Sequence, residues 1–170
     1  MQILLVTTLP NKIHEFLQCR TGLTLKVLDC SQYIAIGKNK QKFSIIKRHV
    51  LSVIRSITSK GDIDILITYR CPFVLPSDIF NQVVYGAYNV HPSLLPKYSG
   101  VNPWKDIYEN KESISGVTLH AIDEGVDTGD IIFQKKFKFI LDEDVNYHRK
   151  IVESLACKGL EELLLSIKKV

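Results

Sequence analysis

Short apolar runs alternate along this chain with segments of helical period, and that alternation restricts the fold more than any other feature. Residues 2–8 are apolar almost without interruption, as in a parallel strand buried on both faces. Residues 24–29 and 64–69 read as strands too, and residues 87–91 as the next. Between them, Pro10 opens a helix running to about Arg20, with Ile13, Phe16 and Leu17 inward. Phe43, Ile46, Val50, Val53, Ile54 and Ile57 recur at helical spacing, and Gly61 closes that helix. Ser77 caps a short helix from Asp78, and Asn102 followed by Pro103 starts another that runs to about Asn110. Strands taking turns with helices specify an α/β sheet, mostly parallel, with helices on both faces.

Residues 115–122 and 130–139 read as strands around a loop. The second carries Phe133, Lys135, Phe137 and Phe139 on one face and Gln134, Lys136 and Lys138 on the other, which suits an outer strand with one wet face. Asp142 or Glu143 starts a final helix whose apolar stripe includes His148, Val152, Ala156, Gly159, Leu160, Leu163 and Leu164. With 170 residues, 45% of them hydrophobic and 24% charged, the composition is ordinary for a globular protein, and a single domain over residues 1–170 is expected. No apolar run is long enough to span a bilayer. The apolar start lacks a charged n-region and a cleavage site, so it reads as a first strand, not a signal peptide. Cys19, Cys30, Cys71 and Cys157 are scattered without a CxxC pair and are expected to be reduced thiols of a cytoplasmic protein, not zinc ligands. The net charge is +4, and Lys38, Lys40, Lys42, Lys47, Arg48, Arg55 and Lys60 hold much of the basic excess. They read as the solvated face of one helix. A patch for an anionic substrate or for tRNA is the sharper reading, but no aromatic interleaving or nucleic-acid motif accompanies them.

The chemistry concentrates in residues 89–100 and 116–130. Asn89 and His91 are two apart, so in an extended chain they share a face. Pro92 pushes His91 away from the helical region. An amide donor beside an imidazole can grip a carbonyl oxygen as negative charge develops on it. Downstream, Gly125 and Gly129 bracket Asp127, letting the backbone turn tightly and approach another element. A carboxylate delivered there orients His91 or raises its basicity. In such sheets ligands bind beyond the carboxyl ends of the strands, where His91 falls. Alone, Asn89 reads as a group satisfying strand-end backbone and His91 as a structural histidine; their occurrence together with the Asp127 turn favours catalysis. His120, alternating with Thr118, either lines the same cleft or packs beside it. His14, His49 and His148 fall on helices as structural or surface residues. Ser93 reads as a turn residue rather than a nucleophile, since Gly-x-Ser-x-Gly is absent. Cys71 reads as a small buried apolar group.

The run from Asn89 through His91, Pro92 and Ser93 to Pro96, followed by Gly116, Thr118, His120 and the Asp127–Gly129 turn, resembles the formyltransferases that use 10-formyltetrahydrofolate. That family includes glycinamide ribonucleotide, methionyl-tRNA and amino-sugar formyltransferases, and the close resemblance covers residues 65–137. It implies a Rossmann-like formyltransferase fold with catalytic Asn89, His91 and Asp127. It implies a folate pocket in which Phe73, Val74 and Leu75, with Ile122, Asp123, Glu124 and Gly125, embrace the pterin. It further implies 10-formyltetrahydrofolate as co-substrate, no metal, and a small-molecule amine as acceptor. Glycinamide ribonucleotide formyltransferases carry a Gly-rich loop after the first strand whose amides bind phosphate; here residues 7–12 contain no glycine, although Thr8 or Lys12 could meet a phosphate. Methionyl-tRNA and amino-sugar formyltransferases usually carry extra C-terminal structure. The expected acceptor is the primary amine of a nucleotide-linked amino sugar lying near Lys12, Lys97 and Tyr98, with glycinamide ribonucleotide as the alternative. From other classes, a formyltetrahydrofolate hydrolase or a non-catalytic folate-binding module competes. A dinucleotide-dependent oxidoreductase is the poorest option, because no Gly-x-Gly-x-x-Gly follows the first strand.

Overall fold

The computed structural model describes residues 1–31 and 40–168, so Lys38 of the basic set lies outside the described residues. Its strands are β1 (Gln2–Thr7), β2 (Thr24–Asp29), β3 (Ile65–Tyr69), β4 (Ala87–His91), β5 (Ile114–Ala121) and β6 (Ile131–Lys138). They form one six-stranded sheet in the order β2-β1-β3-β4-β5-β6. Pairings from β2 through β4 are parallel; β4 with β5 and β5 with β6 are antiparallel. The expected mostly parallel α/β sheet is therefore present, with a single reversed strand, β5, between β4 and β6. Antiparallel neighbours need no crossover, so residues 122–130 suffice to join β5 to β6.

Alternation along the strands divides the core. Ile3, Leu5, Ile65, Ile67, Tyr69 and Val90 turn toward α1 (Lys12–Gln18) and the long α5 (Val145–Ile167), meeting Ile13 and Leu17 of the first and Val152, Ala156, Leu160 and Leu163 of the second. Leu4, Val6 and Leu66 turn the other way, toward Val50, Leu51 and Ile54 of α2 (Lys40–Thr58) and Ile79 of α3 (Ser77–Phe80). Each fully buried Leu or Ile contributes about 1.5–3 kcal/mol relative to exposure. Gly159, in the middle of α5, allows a close approach: a Cβ there would lie 2.6 Å from the ring of Phe133 on β6. The basic residues of α2 are largely exposed, and Arg55 pairs with Asp78 of α3.

Several helix starts differ from expectation, and side-chain bonds explain why. α1 begins at Lys12, not Pro10, because Asn11 is its cap: Oδ1 accepts from the His14 amide at 2.9 Å. The same side chain donates to Thr7 Oγ1 at 3.0 Å and to the Thr8 carbonyl at 2.8 Å, fixing the turn after β1. Ser77 is the first residue of α3 rather than its cap, with Pro76 in the cap position. Asn102 precedes α4 (Pro103–Glu109) as expected but makes no side-chain capping bond. Asp144, not Asp142 or Glu143, caps α5, accepting from the Tyr147 amide at 2.8 Å. His148 is fully buried on α5, its ring stacked on Phe139 at 3.9 Å, and its Nε2 accepts from the Ile140 amide at 3.1 Å.

Candidate active site

The middle strand of the site is β4, between β3 and β5. Register sets Asn89 beside Thr68 and opposite His120, and His91 opposite Thr118. Thr68 Oγ1 donates to Asn89 Oδ1 at 2.8 Å, so the amide is oriented with Nδ2 facing away from β3. Asn89 Nδ2 lies 3.1 Å from His120 Nε2 and donates to Asp127 Oδ1 at 3.4 Å. His120 Nδ1 is 2.8 Å from the Ala121 carbonyl, an acceptor, which puts the ring proton on Nδ1 and leaves Nε2 to accept from Asn89.

His91 is buried between acceptors. Its Nε2 lies 2.8 Å from the Tyr98 carbonyl and its Nδ1 3.3 Å from Asp127 Oδ2. A neutral imidazole has one N–H and can satisfy only one of them; a second proton, once gained, has a partner waiting. Burial lowers the His91 pKa below the usual histidine value, and the Asp127 charge and the Tyr98 carbonyl oppose that shift without reversing it. For Asp127, burial pushes the carboxyl upward. His120, the Gly100 amide at 2.7 Å and the charge of His91 outweigh that push and hold it below the usual carboxylate range.

The Asp127 loop is shaped by close approach. Asp127 itself takes the left-handed conformation, φ +57, which Asp tolerates better than most residues. The flanking glycines do not take positive φ; they serve by leaving room. A Cβ on Gly125 would lie 2.0 Å from Thr128 Oγ1, and one on Gly129 would lie 2.0 Å from the Ala121 carbonyl oxygen. Asp123 braces the loop, accepting from the Gly125 amide at 3.0 Å and from Thr128 Oγ1 at 2.7 Å. Its carboxylate is thus a structural brace rather than a free loop charge.

The chain after His91 is tied down just as closely. Ser93 Oγ donates to the Lys97 carbonyl at 2.7 Å, the turn bond expected of it. Thr118 Oγ1 donates to the Ser93 carbonyl at 2.7 Å and accepts from the Leu95 amide at 3.2 Å. Tyr98, at φ +59, donates its hydroxyl to Glu112 at 2.6 Å, and Lys97 pairs with the same carboxylate. Lys97 and Tyr98, expected beside an acceptor, are therefore engaged with Glu112, while the backbone of their loop touches both His91 and Asp127.

A cavity of about 480 Å³ adjoins the site, lined by Phe80, Ala87 and Tyr88 on one side and by Ile122, Asp123 and Glu124 on the other. Of the residues anticipated around the pterin, Ile122, Asp123 and Glu124 line this cavity, while Phe73 and Leu75 are buried in the α2–α3 core, Phe73 beside Phe43 with ring centroids 5.6 Å apart, and Val74 and Gly125 are exposed. Thr68 escaped sequence reasoning, although a lone polar residue after Ile65, Leu66 and Ile67 was a signal. The Tyr98 carbonyl and the Gly100 amide left none, being backbone groups. Among the described residues, no group of His, Cys, Asp and Glu is arranged to hold a metal ion.

Three of the four thiols are poor nucleophiles here. Burial pushes Cys30 up to about 12 and Cys71 and Cys157 up to about 11. Ellman's reagent at pH 8 should label exposed Cys19 first and the others much more slowly; equal rates at all four would contradict this burial.

Residues 38–164 match the formyl transferase family. The chain belongs to the formyl transferase family. Members of this family are enzymes of one-carbon transfer that draw the formyl group from 10-formyltetrahydrofolate. The chain is 38% identical to the methionyl-tRNA formyltransferase of Kosmotoga olearia over 104 residues, covering 61% of this chain and 33% of that protein. It is 32% identical to that of Borrelia garinii subsp. bavariensis over 167 residues, covering 96% of this chain and 50% of the relative. The chain thus spans about a third to a half of the length of these curated relatives. Among solved structures, phosphoribosylglycinamide formyltransferase from Bacillus halodurans superposes with a TM-score of 0.69 at 19% identity, over 96% of this chain and 95% of that one. HypX from Aquifex aeolicus, solved in complex with tetrahydrofolic acid, superposes with a TM-score of 0.73 at 16% identity, over 99% of this chain and 27% of its own. Both neighbours share the fold, a Rossmann-like formyltransferase fold. No helix among the described residues is long and apolar enough to cross a membrane.

Proposed function

We propose that this formyl transferase family member moves a formyl group from 10-formyltetrahydrofolate to a primary amine, with Asn89, His91 and Asp127 as its catalytic residues. The observation that carries the reading is the convergence on the Asp127 carboxylate of the Asn89 amide and the His91 and His120 imidazoles, each with a polar atom within 3.5 Å of it. The cavity beside them suits a flat heterocycle: Phe80, Ala87 and Tyr88 supply an apolar wall, residues 122–124 supply the opposing loop, and its volume is in the range of small-molecule sites. When bound, 10-formyltetrahydrofolate supplies the formyl carbon, whose bond to the folate nitrogen breaks as its bond to the amine nitrogen forms. Asn89 Nδ2 gives up its long contact with Asp127 and donates to the formyl oxygen as charge develops there. His91 and Asp127 receive the proton released by the amine and hold it between them until it passes to the departing folate nitrogen.

The pKa directions set a pH dependence. His91 titrates below about 6.5, its unfolded value. Lowering the pH below about 6.5 therefore costs stability, because the unfolded chain binds a proton that the folded site refuses. The Asp127 contribution is present above about pH 3.9 and is lost as pH falls through its lower folded value. Turnover should hold until pH falls well below 6.5 and then decline on an acid limb set by His91. Asp127 raises His91, so Asp127→Asn should move the limb to lower pH as well as reducing the rate. A limb that moves upward in a full pH–rate profile contradicts the assignment.

The acceptor in this reading is a small amine-bearing metabolite, with a nucleotide-linked amino sugar ahead of glycinamide ribonucleotide. A second reading, methionyl-tRNA, is favoured by the names of the sequence relatives. Formyl transfer with these three acceptors in parallel separates them, and a reaction without any amine tests hydrolysis. Acceptor-dependent turnover supports the proposal. Formate release that no acceptor changes, or folate binding without turnover on any of the three, would overturn it.

A further inference from the structure

Register brings one more positive charge to the site than the proposed chemistry uses. Thr7, Tyr69 and Val90 are partners across β1, β3 and β4. The residues that follow them, Thr8, Arg70 and His91, therefore line up along the carboxyl edge of the sheet. Arg70 sits at φ +54, a left-handed conformation that a residue with a side chain rarely occupies and that concentrates at functional sites. On α5, Glu153 reaches this edge: its carboxylate accepts from Tyr69 Oη at 3.2 Å and from the Lys12 amide at 3.1 Å. Arg149 lies one turn before Glu153 on the same helix face. Arg70 follows Tyr69, Arg149 precedes Glu153 by one turn, and the two guanidinium groups are near enough to repel each other.

Neither guanidinium has a carboxylate within ion-pair distance among the described residues. Arg149 donates to Asn146 Oδ1 at 2.6 Å, and Glu153 is occupied by Tyr69 and Lys12. Arg70 is half-buried, and it is lowered by that burial and by repulsion from Arg149, with Tyr69 and Glu153 opposing. Beside it in register, Thr8 is 2% exposed and its hydroxyl has no hydrogen-bond partner. Paired cations at a half-buried edge are unfavourable until an anion bridges them.

We propose that Arg70 and Arg149 form an oxyanion subsite that takes a phosphate or carboxylate group of the amine acceptor and sets that acceptor beside His91. Planar guanidinium forks match both anions bidentately. Glu153 on the flank repels an extended polyanion, so the subsite suits one compact anionic group. The acceptor's part in this proposal rests on the formyl-transfer reading; the anion site is tested without folate.

Inorganic phosphate and acetate are titrated calorimetrically into the full chain, with the arms separating phosphate from carboxylate. Wild type should bind at least one of them, and Arg70→Gly and Arg149→Gln should each weaken that binding by about tenfold or more, with folate affinity unchanged. Arg70→Gly removes the positive-φ strain, so it should keep or raise the thermal midpoint while losing the anion. A residue serving only to balance Glu153 would behave oppositely: the midpoint would drop and anion affinity would stay. That result overturns the proposal, as does a wild type that binds neither anion. Absence of formyl transfer to every acceptor overturns the functional reading instead, and leaves the titration to decide the subsite by itself.

Discussion

Asn89→Ala should lower formyl-transfer turnover by about 10²–10³, the usual cost of one donor to a developing oxyanion, and should leave folate affinity within a few-fold. The cost follows from how the amide is held. Thr68 fixes Oδ1, so Nδ2 is oriented before substrate arrives and no reorganisation is needed at the moment of reaction. Thr68→Val keeps the shape of the side chain but frees the amide, and should cost less, about 10-fold, as loss of an orienting partner does. His91→Ala should depress turnover more than folate binding, since the ring touches Tyr98 and Asp127 rather than the cavity wall. Single-turnover rates with saturating folate separate these effects from binding. Near-normal turnover in Asn89→Ala, His91→Ala and Asp127→Ala together would sink the mechanism.

Gly129→Ala, a change of one methyl group, should cut turnover by about 10²-fold through misplacement of Asp127. The added Cβ would sit 2.0 Å from the Ala121 carbonyl oxygen, a backbone atom at the end of β5 that already accepts from His120 Nδ1. Either the loop moves out or the end of β5 moves, and both displace the carboxylate from His91. Relief of such overpacking costs on the order of 1–3 kcal/mol of stability, so the variant should fold with a lowered thermal midpoint. Its far-ultraviolet spectrum should stay native. Gly22→Ala is a useful control: unlike Gly129 that residue has positive φ, so the change strains the backbone, but nothing lies within 4 Å of its Cβ position and it is remote from the site. Equal activity loss in both variants would show that the effect is not specific to the Asp127 loop.

The readable part of this molecule was what local spacing encodes. Asn89 and His91 share a face because strand period is two, and the β4 boundaries follow from the apolar run and Pro92. The α5 stripe was equally legible, apart from Glu153, which looks like a solvated flank in a helical repeat and is in fact buried against Tyr69. Helix starts were misread where rival signals sit side by side. Pro10 and Asn11 both announce a helix, and only the hydrogen bond from the His14 amide decides between them. The lining of the cavity was half legible for a similar reason. Phe73 and Leu75 are apolar residues next to a cleft, and sequence does not distinguish a wall from a core. Arg70 carried no sequence signal, since what marks it is a backbone angle and a neighbour far away in the chain.

Because β4 is laddered on both sides, its amides should exchange with solvent only when the whole domain unfolds. The loop at 122–130 has no such ladder and should open at much lower cost. The pair proposed to hold the proton would then join an imidazole on a strand that stays closed to a carboxylate on a loop that opens more readily. The Gly100 amide, whose acceptor is Asp127 Oδ2, is a built-in reporter of that traffic. Its exchange rate measures how often the chain stands with His91 bare, and so how large a fraction of encounters with substrate can be productive.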